Sequence, residues 1–206
     1  EVKFKSPSEG LIHENIDPLK VALEYLDAGA DAISIISDSK FFDGDVKFIQ
    51  EIRGHINVPI LQKDFIIQKS QIIEGHNCGA DAFLLIADVL NDKKINEFQE
   101  LAKNLNMSIL LEMHDIKNID RLKKIKPDIV GVNCRDLKTM RTDLTIFKNL
   151  SNLLPYDSIK VAESGIKTSD DIKYVRDLGY NAVLVGTSLM KNGSPGKSLE
   201  SLISNL

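Results

Sequence analysis

Short runs of β-branched and apolar residues recur eight times along this chain, and a longer helical pattern separates each run from the next. The runs lie near Val2–Phe4, Ala32–Ile36, Ile60–Gln62, Ala82–Ile86, Ile109–Glu112, Ile129–Asn133, Ile159–Glu163 and Ala182–Gly186. Several are apolar throughout, as in Phe83-Leu84-Leu85-Ile86 and Val183-Leu184-Val185. Strands covered on both faces read this way, which implies a parallel sheet. Between the runs, Pro18–Ala28 carries Leu19, Ala22, Leu23 and Leu26 on one stripe, and Asn96–Leu105 carries Phe98, Leu101, Ala102 and Leu105 on another. Thr168-Ser169-Asp170-Asp171 has the form of a capped helix start, with acids over the positive end of the dipole, and Ile172, Val175 and Leu178 follow on one side. Gly29-Ala30-Asp31-Ala32, Gly79-Ala80-Asp81-Ala82 and Gly179-Tyr180-Asn181-Ala182 each close a helix and open a strand, with glycine just past the helix C-terminus. Eight such βα units over 206 residues predict an α/β fold, a (β/α)8 TIM barrel of eight parallel strands in a single domain, residues 1–206. An open doubly wound sheet is the competitor, but eight strands would be many for an open sheet of this length.

Composition narrows the function classes. With 26 Lys+Arg against 30 Asp+Glu the net charge is −4, so nothing global draws the chain to nucleic acid or to an anionic membrane. The longest unbroken apolar run, Ala82 to Ala87, is six residues, where a membrane-spanning helix needs roughly 20. Cys78 and Cys134 are far apart and form no CxxC, which argues against a disulfide framework or a structural zinc and for a reducing cytoplasm. His13, His55, His76 and His114 are scattered and no HExxH occurs, so no metal is expected. His114, just after the fifth strand, reads as a loop histidine, with a pocket-facing position as the alternative, and Cys134 as a small filler beside Asn133.

Barrels of this class place their active sites at the C-terminal ends of the strands. There the chain carries Glu1, Lys3 and Lys5 around the first strand, Lys63-Asp64 after the third and Glu112 at the end of the fifth. Asn133 with Cys134-Arg135-Asp136 ends the sixth, and Glu163 the seventh. Each charge would cost stability if buried without a partner, so the alternative to a functional set is a ring of mutually satisfied salt bridges. Ser164-Gly165 and Gly186-Thr187 follow the seventh and eighth strands. Small residues there let backbone N–H groups approach an anion, at the usual phosphate position of such barrels. Lysines and carboxylates around a phosphate pocket suggest acid–base chemistry on a sugar phosphate.

Seven motifs sharpen this: Glu1-Val2-Lys3-Phe4-Lys5-Ser6-Pro7-Ser8, Phe41-Phe42-Asp43-Gly44, Pro59-Ile60-Leu61-Gln62-Lys63-Asp64-Phe65-Ile66, Leu111-Glu112-Met113-His114-Asp115, Gly131-Val132-Asn133-Cys134-Arg135-Asp136-Leu137, Val161-Ala162-Glu163-Ser164-Gly165-Ile166 and Gly186-Thr187-Ser188-Leu189-Met190. In this order, over the whole chain, they resemble the indole-3-glycerol-phosphate synthase family of tryptophan biosynthesis. The resemblance implies a lyase that needs no cofactor. It closes the indole ring of 1-(2-carboxyphenylamino)-1-deoxyribulose 5-phosphate with loss of carbon dioxide and water. By resemblance, Lys63 is the general acid for ring closure and Glu112 manages protons in the dehydration. Lys3 holds the anthranilate carboxylate, and Glu1, Asn133 and Glu163 complete the catalytic shell. Arg135 supports the substrate, and Phe42, Leu84 and Leu137 wall its aromatic ring. Ser6, Ser164, Gly165, Gly186 and Thr187 hold the phosphate. The resemblance also implies an N-terminal helical extension ahead of Glu1, which this sequence does not carry. Two other readings stay open at this stage: a catalytically impaired truncated barrel, and another phosphate-binding barrel of the phosphoribosylanthranilate-isomerase kind. A cytoplasmic monomer acting on a small phosphorylated molecule, with no nucleic-acid or membrane partner, is the expectation.

Overall fold

Seven of the eight apolar runs form strands, hydrogen-bonded to one another in sequence order. The computed structural model describes residues 1–13, 16–136, 139–191 and 193–206. It comprises two units, Glu1–Phe83 with Val185–Leu206, and Leu84–Leu184.

The first unit holds a short hairpin, β1 (Lys5–Ser6) with β2 (Gly10–Leu11), then α1 (Pro18–Asp27), β3 (Ile33–Ile36), α2 (Ser39–Phe42), α3 (Lys47–Arg53), β4 (Ile60–Lys63) and α4 (Lys69–Asn77). Strand β5 (Ala82–Ile86) begins in it. Strands β3, β4 and β5 pair in parallel, with Ile36 opposite Lys63 and Gln62 opposite Phe83. The expected first strand, Val2–Phe4, contributes one parallel bridge, Val2 to Ile35, in place of a full strand. Phe4 O is taken by Ile12 N and His13 N at 2.7 and 3.2 Å, so the chain leaves the sheet and enters the hairpin. Pro7, which has no N–H to give a ladder, sits in the turn.

The second unit completes β5 and adds α5 (Asp92–Leu105), β6 (Ser108–Met113), α6 (Ile119–Ile125), β7 (Ile129–Asn133), α7 (Thr145–Ser151), β8 (Ile159–Glu163), α8 (Ser169–Asp177) and β9 (Ala182–Leu184). The chain ends in the first unit with α9 (Thr187–Met190) and α10 (Pro195–Ile203).

Two sequence expectations shift. The buried side of α1 is Val21, Ala22 and Tyr25, and Leu23 is exposed. The apolar arc is turned by part of a turn because Tyr25 reaches inward to hydrogen-bond Glu1 O (3.4 Å). Helix α5 starts at Asp92, four residues before the expected Asn96, because Asn91 caps it by accepting from Lys94 N at 2.9 Å.

The helix-to-strand repeat is a repeated hydrogen-bond pattern. After α1, α4 and α8, the glycines Gly29, Gly79 and Gly179 adopt positive φ, and the next residue's N–H reaches back to the last helical turn: Ala30 to Tyr25 O, Ala80 to Gly75 O and Tyr180 to Val175 O. The polar residue that follows ties the strand start. Asp81 accepts from Ile60 N at 2.7 Å, and Asn181 from Lys160 N at 2.8 Å.

The joints after β4 and β8 are also alike. From Lys63 to Gln68, and from Glu163 to Thr168, the chain runs the same distance to a reciprocal helix cap. Gln71 Oε1 accepts from Ile67 N and Gln68 N (2.9 and 3.1 Å). Asp171 Oδ2 accepts from Lys167 N and Thr168 N (both 2.9 Å). Ile66 and Ile166 are buried in these joints.

Candidate active site

In the first unit the site is built on one carboxylate. Side chains alternate across a strand, so Glu1 and Lys3 share a side while Val2 is buried on the other. On β4, Ile60 and Gln62 are buried and Gln62 Nε2 donates to Gln71 O of α4; Leu61 and Lys63 face the opposite way. Glu1 Oε1 lies 2.9 Å from Lys3 Nζ and Oε2 lies 3.5 Å from Lys63 Nζ. The Glu1 side chain is only 4% exposed, against 12% for Lys3 and 19% for Lys63. Burial pushes the Glu1 carboxyl up, and the ammonium groups of Lys3 and Lys63 more than offset it, so it sits well below the usual carboxylate range. Main-chain bonds hold the segment: Glu1 N donates to Val185 O at 2.7 Å and Val2 N to Ser34 O at 2.8 Å. Gly186 completes the niche, because a Cβ there would lie 2.5 Å from Glu1 Oε1 and 3.1 Å from Glu1 Cβ.

In the second unit, register does the assembling. Glu112 pairs with Gly131, Asn133 with Glu163, and Glu163 with Leu184. Partners in parallel strands face the same way, and so do residues two apart. Glu112, Asn133 and Glu163 therefore stand on one face, at or next to the C-terminal ends of three adjacent strands. All three are buried. Gly131 makes this possible: a Cβ on it would collide with Glu163 Oε1 and come within 3.2 Å of both Glu163 Cδ and Leu110 Cδ1. The chain turns sharply after Glu163, with Ser164 and Gly165 at φ 68° and 76°. A side chain at Gly165 would meet Leu144 Cδ2 at 2.8 Å and Cys134 Sγ at 2.9 Å. Cys134 is buried, as a filler should be, and burial pushes its thiol up to about 11.

The remaining expected residues fall as follows. Ser6 is buried, with Oγ accepting from Glu9 N at 3.2 Å, and Gly186 and Thr187 open α9, all in the first unit. Phe42 lies 6.1 Å from Phe65 in a tilted ring pair. Leu84 is buried in β5. Arg135 spends its guanidinium on its own loop, donating to Met140 O at 2.8 Å. Leu137 lies outside the described residues. Asp64, beside Lys63, accepts from Ser37 Oγ (2.8 Å) and Phe65 N (2.7 Å) and so braces the loop.

His114 lies just past β6, outside the strand as expected, but its ring is not solvated: 12% exposed, it sits between Glu112 Oε1 and Asp88 Oδ2, each at 3.3 Å. Strand alternation would have found it, since it stands two residues past Glu112 on the same side. Gly131 and Tyr25 were missed as well. A strand glycine and an amphipathic helix tyrosine carry no sign of what they accommodate. Among the described residues no group of three or more His, Cys, Asp or Glu is placed to hold a metal ion, and no helix is long and apolar enough to cross a membrane.

Comparison with known proteins shows the family and the fold. The family model described as indole-3-glycerol phosphate synthase matches residues 1–202. Proteins named indole-3-glycerol phosphate synthase are similar throughout. The one from Acetivibrio thermocellus is 44% identical over 191 residues, covering 93% of this chain and 74% of that protein. The one from Alkaliphilus metalliredigens is 41% identical over 206 residues, covering 100% and 79%. Two solved structures share the fold at low identity. The 3-hexulose-6-phosphate synthase of Salmonella typhimurium has a TM-score of 0.72 at 17% identity, covering 89% of this chain and 91% of that one. KGPDC from Streptococcus mutans has a TM-score of 0.72 at 10% identity, covering 91% and 89%. The fold class is that of the (β/α)8 barrels, and the chain belongs to the indole-3-glycerol phosphate synthase family, whose ring-closing lyase activity in tryptophan biosynthesis is its own.

Proposed function

We propose that residues 1–206 are a single barrel domain in which Lys63 is the general acid and Glu112 the carboxyl that moves protons. The observation that carries this is the Glu1 carboxylate, ionised and shared between Lys3 and Lys63. Salt bridges of this kind are also what a purely structural account expects. That account leaves unexplained why three more polar side chains, Glu112, Asn133 and Glu163, are buried on a single sheet face at strand ends.

The chemistry needs such a set. An aromatic ring carbon is a poor nucleophile, so the substrate ketone must be made more electrophilic as the new carbon–carbon bond forms. A proton from Lys63 Nζ to the carbonyl oxygen does this. Lys3 holds the anthranilate carboxylate beside the ring, with Phe42, Leu84 and Leu137 as the apolar wall. Loss of carbon dioxide restores aromaticity. Dehydration then takes one proton from carbon and gives one to the leaving hydroxyl, the work assigned to Glu112, with Asn133, Glu163 and Arg135 orienting the substrate. Ser6, Ser164, Gly165, Gly186 and Thr187 hold the phosphate. The reading is of a cytoplasmic, cofactor-independent monomer with no nucleic-acid partner.

The test is Lys63→Met, which keeps the stem and removes the donor. With the carboxyphenylamino-deoxyribulose phosphate substrate and indole fluorescence as readout, turnover falls by at least about 10²-fold. Unchanged turnover with a shifted melting midpoint makes Lys63 a structural ion-pair partner and the mechanism wrong.

A further inference from the structure

We propose that Ser37 and Asp64 are positioning residues for Lys63, a hydroxyl-to-carboxylate clamp joining the ends of β3 and β4 and fixing the main chain on which the general acid stands. This rests on the reading that Lys63 is that acid.

Lys63 is the last residue of β4, and the chain leaves the sheet at the next one. A proton donor at such an end needs its main chain held from outside the strand. Ser37, the first residue past β3, does this twice. Its N–H donates to Lys63 O at 3.1 Å, and its hydroxyl donates to Asp64 Oδ2 at 2.8 Å. Asp64 Oδ1 accepts from Phe65 N at 2.7 Å. The peptide between Lys63 and Asp64 is therefore gripped at its carbonyl and at the side chain that follows. Alternation, carried one residue past β4, turns Lys63 and Asp64 to opposite sides. The clamp thus acts from behind the ammonium that meets Glu1. Its own base is fixed. Asp38 Oδ2 accepts from Phe41 N at 2.7 Å and from Phe42 N at 3.1 Å, and Gly44 N returns to Asp38 O at 2.8 Å. A Cβ on Gly44 would collide with Ile36 O, so this loop closes tightly onto the end of β3. Ser37, between Ile36 and Asp38, is buried.

A carboxylate is a costly brace here. Burial pushes the Asp64 carboxyl up, the hydrogen bonds from Ser37 and Phe65 offset part of this, and the acids Asp38 and Glu74 push it up again, so it titrates above the ordinary range. An Asn would avoid that cost but brings one acceptor oxygen, where two hydrogens arrive on two oxygens. The same arrangement recurs at the strand ends that carry Glu112 and Glu163. Ala87 N donates to Glu112 O at 2.8 Å, and Asp88, the next residue, accepts from His114 N at 2.9 Å. Cys134 N donates to Glu163 O at 3.1 Å, and its thiol donates to Ser164 O at 3.4 Å. In each case the loop after the preceding strand grips the carbonyl of the chemistry-bearing residue. In each, a side chain of that loop also grips the segment just beyond it. The main-chain bond continues the parallel ladder; the side-chain bond is the addition.

The experiment compares Ser37→Ala, Asp64→Ala, Asp64→Asn and the double variant Ser37→Ala/Asp64→Ala in the ring-closure assay, each well below its own melting midpoint. Ser37→Ala is also made in the Lys63→Met background. Ser37→Ala and Asp64→Ala each lower kcat between about 10- and 10²-fold, the scale of a displacement of up to about 1 Å, while KM holds. The double variant loses no more than the slower single one, because the two groups act as a unit. Asp64→Asn, with one acceptor oxygen left, retains more turnover than Asp64→Ala. Ser37→Ala changes nothing further once Lys63 is Met. A folded Ser37→Ala with wild-type kcat and a lowered melting midpoint, while Lys63→Met is inactive, makes the clamp structural and overturns the proposal. So does a rise in KM alone, an Asp64→Asn no faster than Asp64→Ala, or an undiminished loss from Ser37→Ala in the Lys63→Met background. Full activity in Lys63→Met overturns the reading of Lys63 itself.

Discussion

Gly131→Ala is the smallest change that tests the second cluster, since it adds one methyl group. The added Cβ collides with Glu163 Oε1 and lies 3.2 Å from Glu163 Cδ and from Leu110 Cδ1. Ordinary carbon contacts are about 3.5–4.0 Å, so the carboxylate must retreat by roughly 1 Å or more. Two effects on stability oppose each other. Replacing glycine in a strand interior removes an entropic penalty of roughly 0.5–1 kcal/mol, and overpacking a filled site costs about 1–3 kcal/mol. The net is a loss of about 0–2.5 kcal/mol, a modest fall in melting midpoint. The effect on catalysis is larger, since a displacement of about 1 Å costs on the order of 10²-fold. Steady-state kinetics by indole fluorescence, with calorimetry on the same sample, separates the two. A variant that melts near wild type but has lost about two orders of magnitude in kcat bears out the role of Glu163. Wild-type turnover would refute it, because the carboxylate cannot both stay in place and make room.

Gly186→Val drives a side chain into Glu1, so turnover falls along with substrate affinity; a pure rise in KM would mean that Gly186 serves the phosphate alone. Cys134, raised to about 11 by burial, holds its proton more tightly folded than unfolded, where a thiol titrates near 8.5. The stability it confers is therefore whole below about pH 8.5 and is lost as pH rises toward 11. Thiol labelling at pH 8 should mark Cys134 only after unfolding, and equal rates in both states contradict this. Thr168→Ala removes the hydroxyl that accepts Asp171 N at 3.2 Å and should cost about 1 kcal/mol by chemical denaturation. Turnover holds in this variant; a drop in kcat would mean that the cap positions Glu163.

Legibility in the sequence followed the physics of each feature. Strand and helix order was readable because burial on both faces leaves unbroken apolar runs, as in Phe83–Ile86. The first strand was overread because Val2-Lys3-Phe4 looks extended, whereas the departure is set by Phe4 O turning to Ile12 and His13, which no local pattern encodes. The α1 stripe was misplaced because Leu23 and Val21 are equally apolar, and only tertiary packing chooses between them. The placement of Lys63, Glu112 and Glu163 at strand ends was legible because a charge at the end of an apolar strand is costly unless partnered. Space was not legible. Gly131 and Gly186 look like any strand or turn glycine until the carboxylates that fill the vacated volume are seen. The loop position of His114 was legible, but its burial was not, because its ring lies against Asp88, a residue on another strand's loop.

The matching joints after β4 and β8 have a consequence for how such a chain can change. Each loop is pinned at its far end, by Gln71 in one case and Asp171 in the other, and by a buried isoleucine in its middle. The side chain at the near end, Lys63 or Glu163, takes no part in that pinning. One joint therefore presents a cation and the other an anion from the same mounting. The hydrogen bonds of the bracket are the same whichever charge stands at its near end. Drift at these two positions is filtered by what each side chain meets, the buried Glu1 carboxylate for Lys63 and the space over Gly131 for Glu163, while drift at the caps is filtered by folding. A lineage could retune its reaction at either position without first having to rebuild the loop.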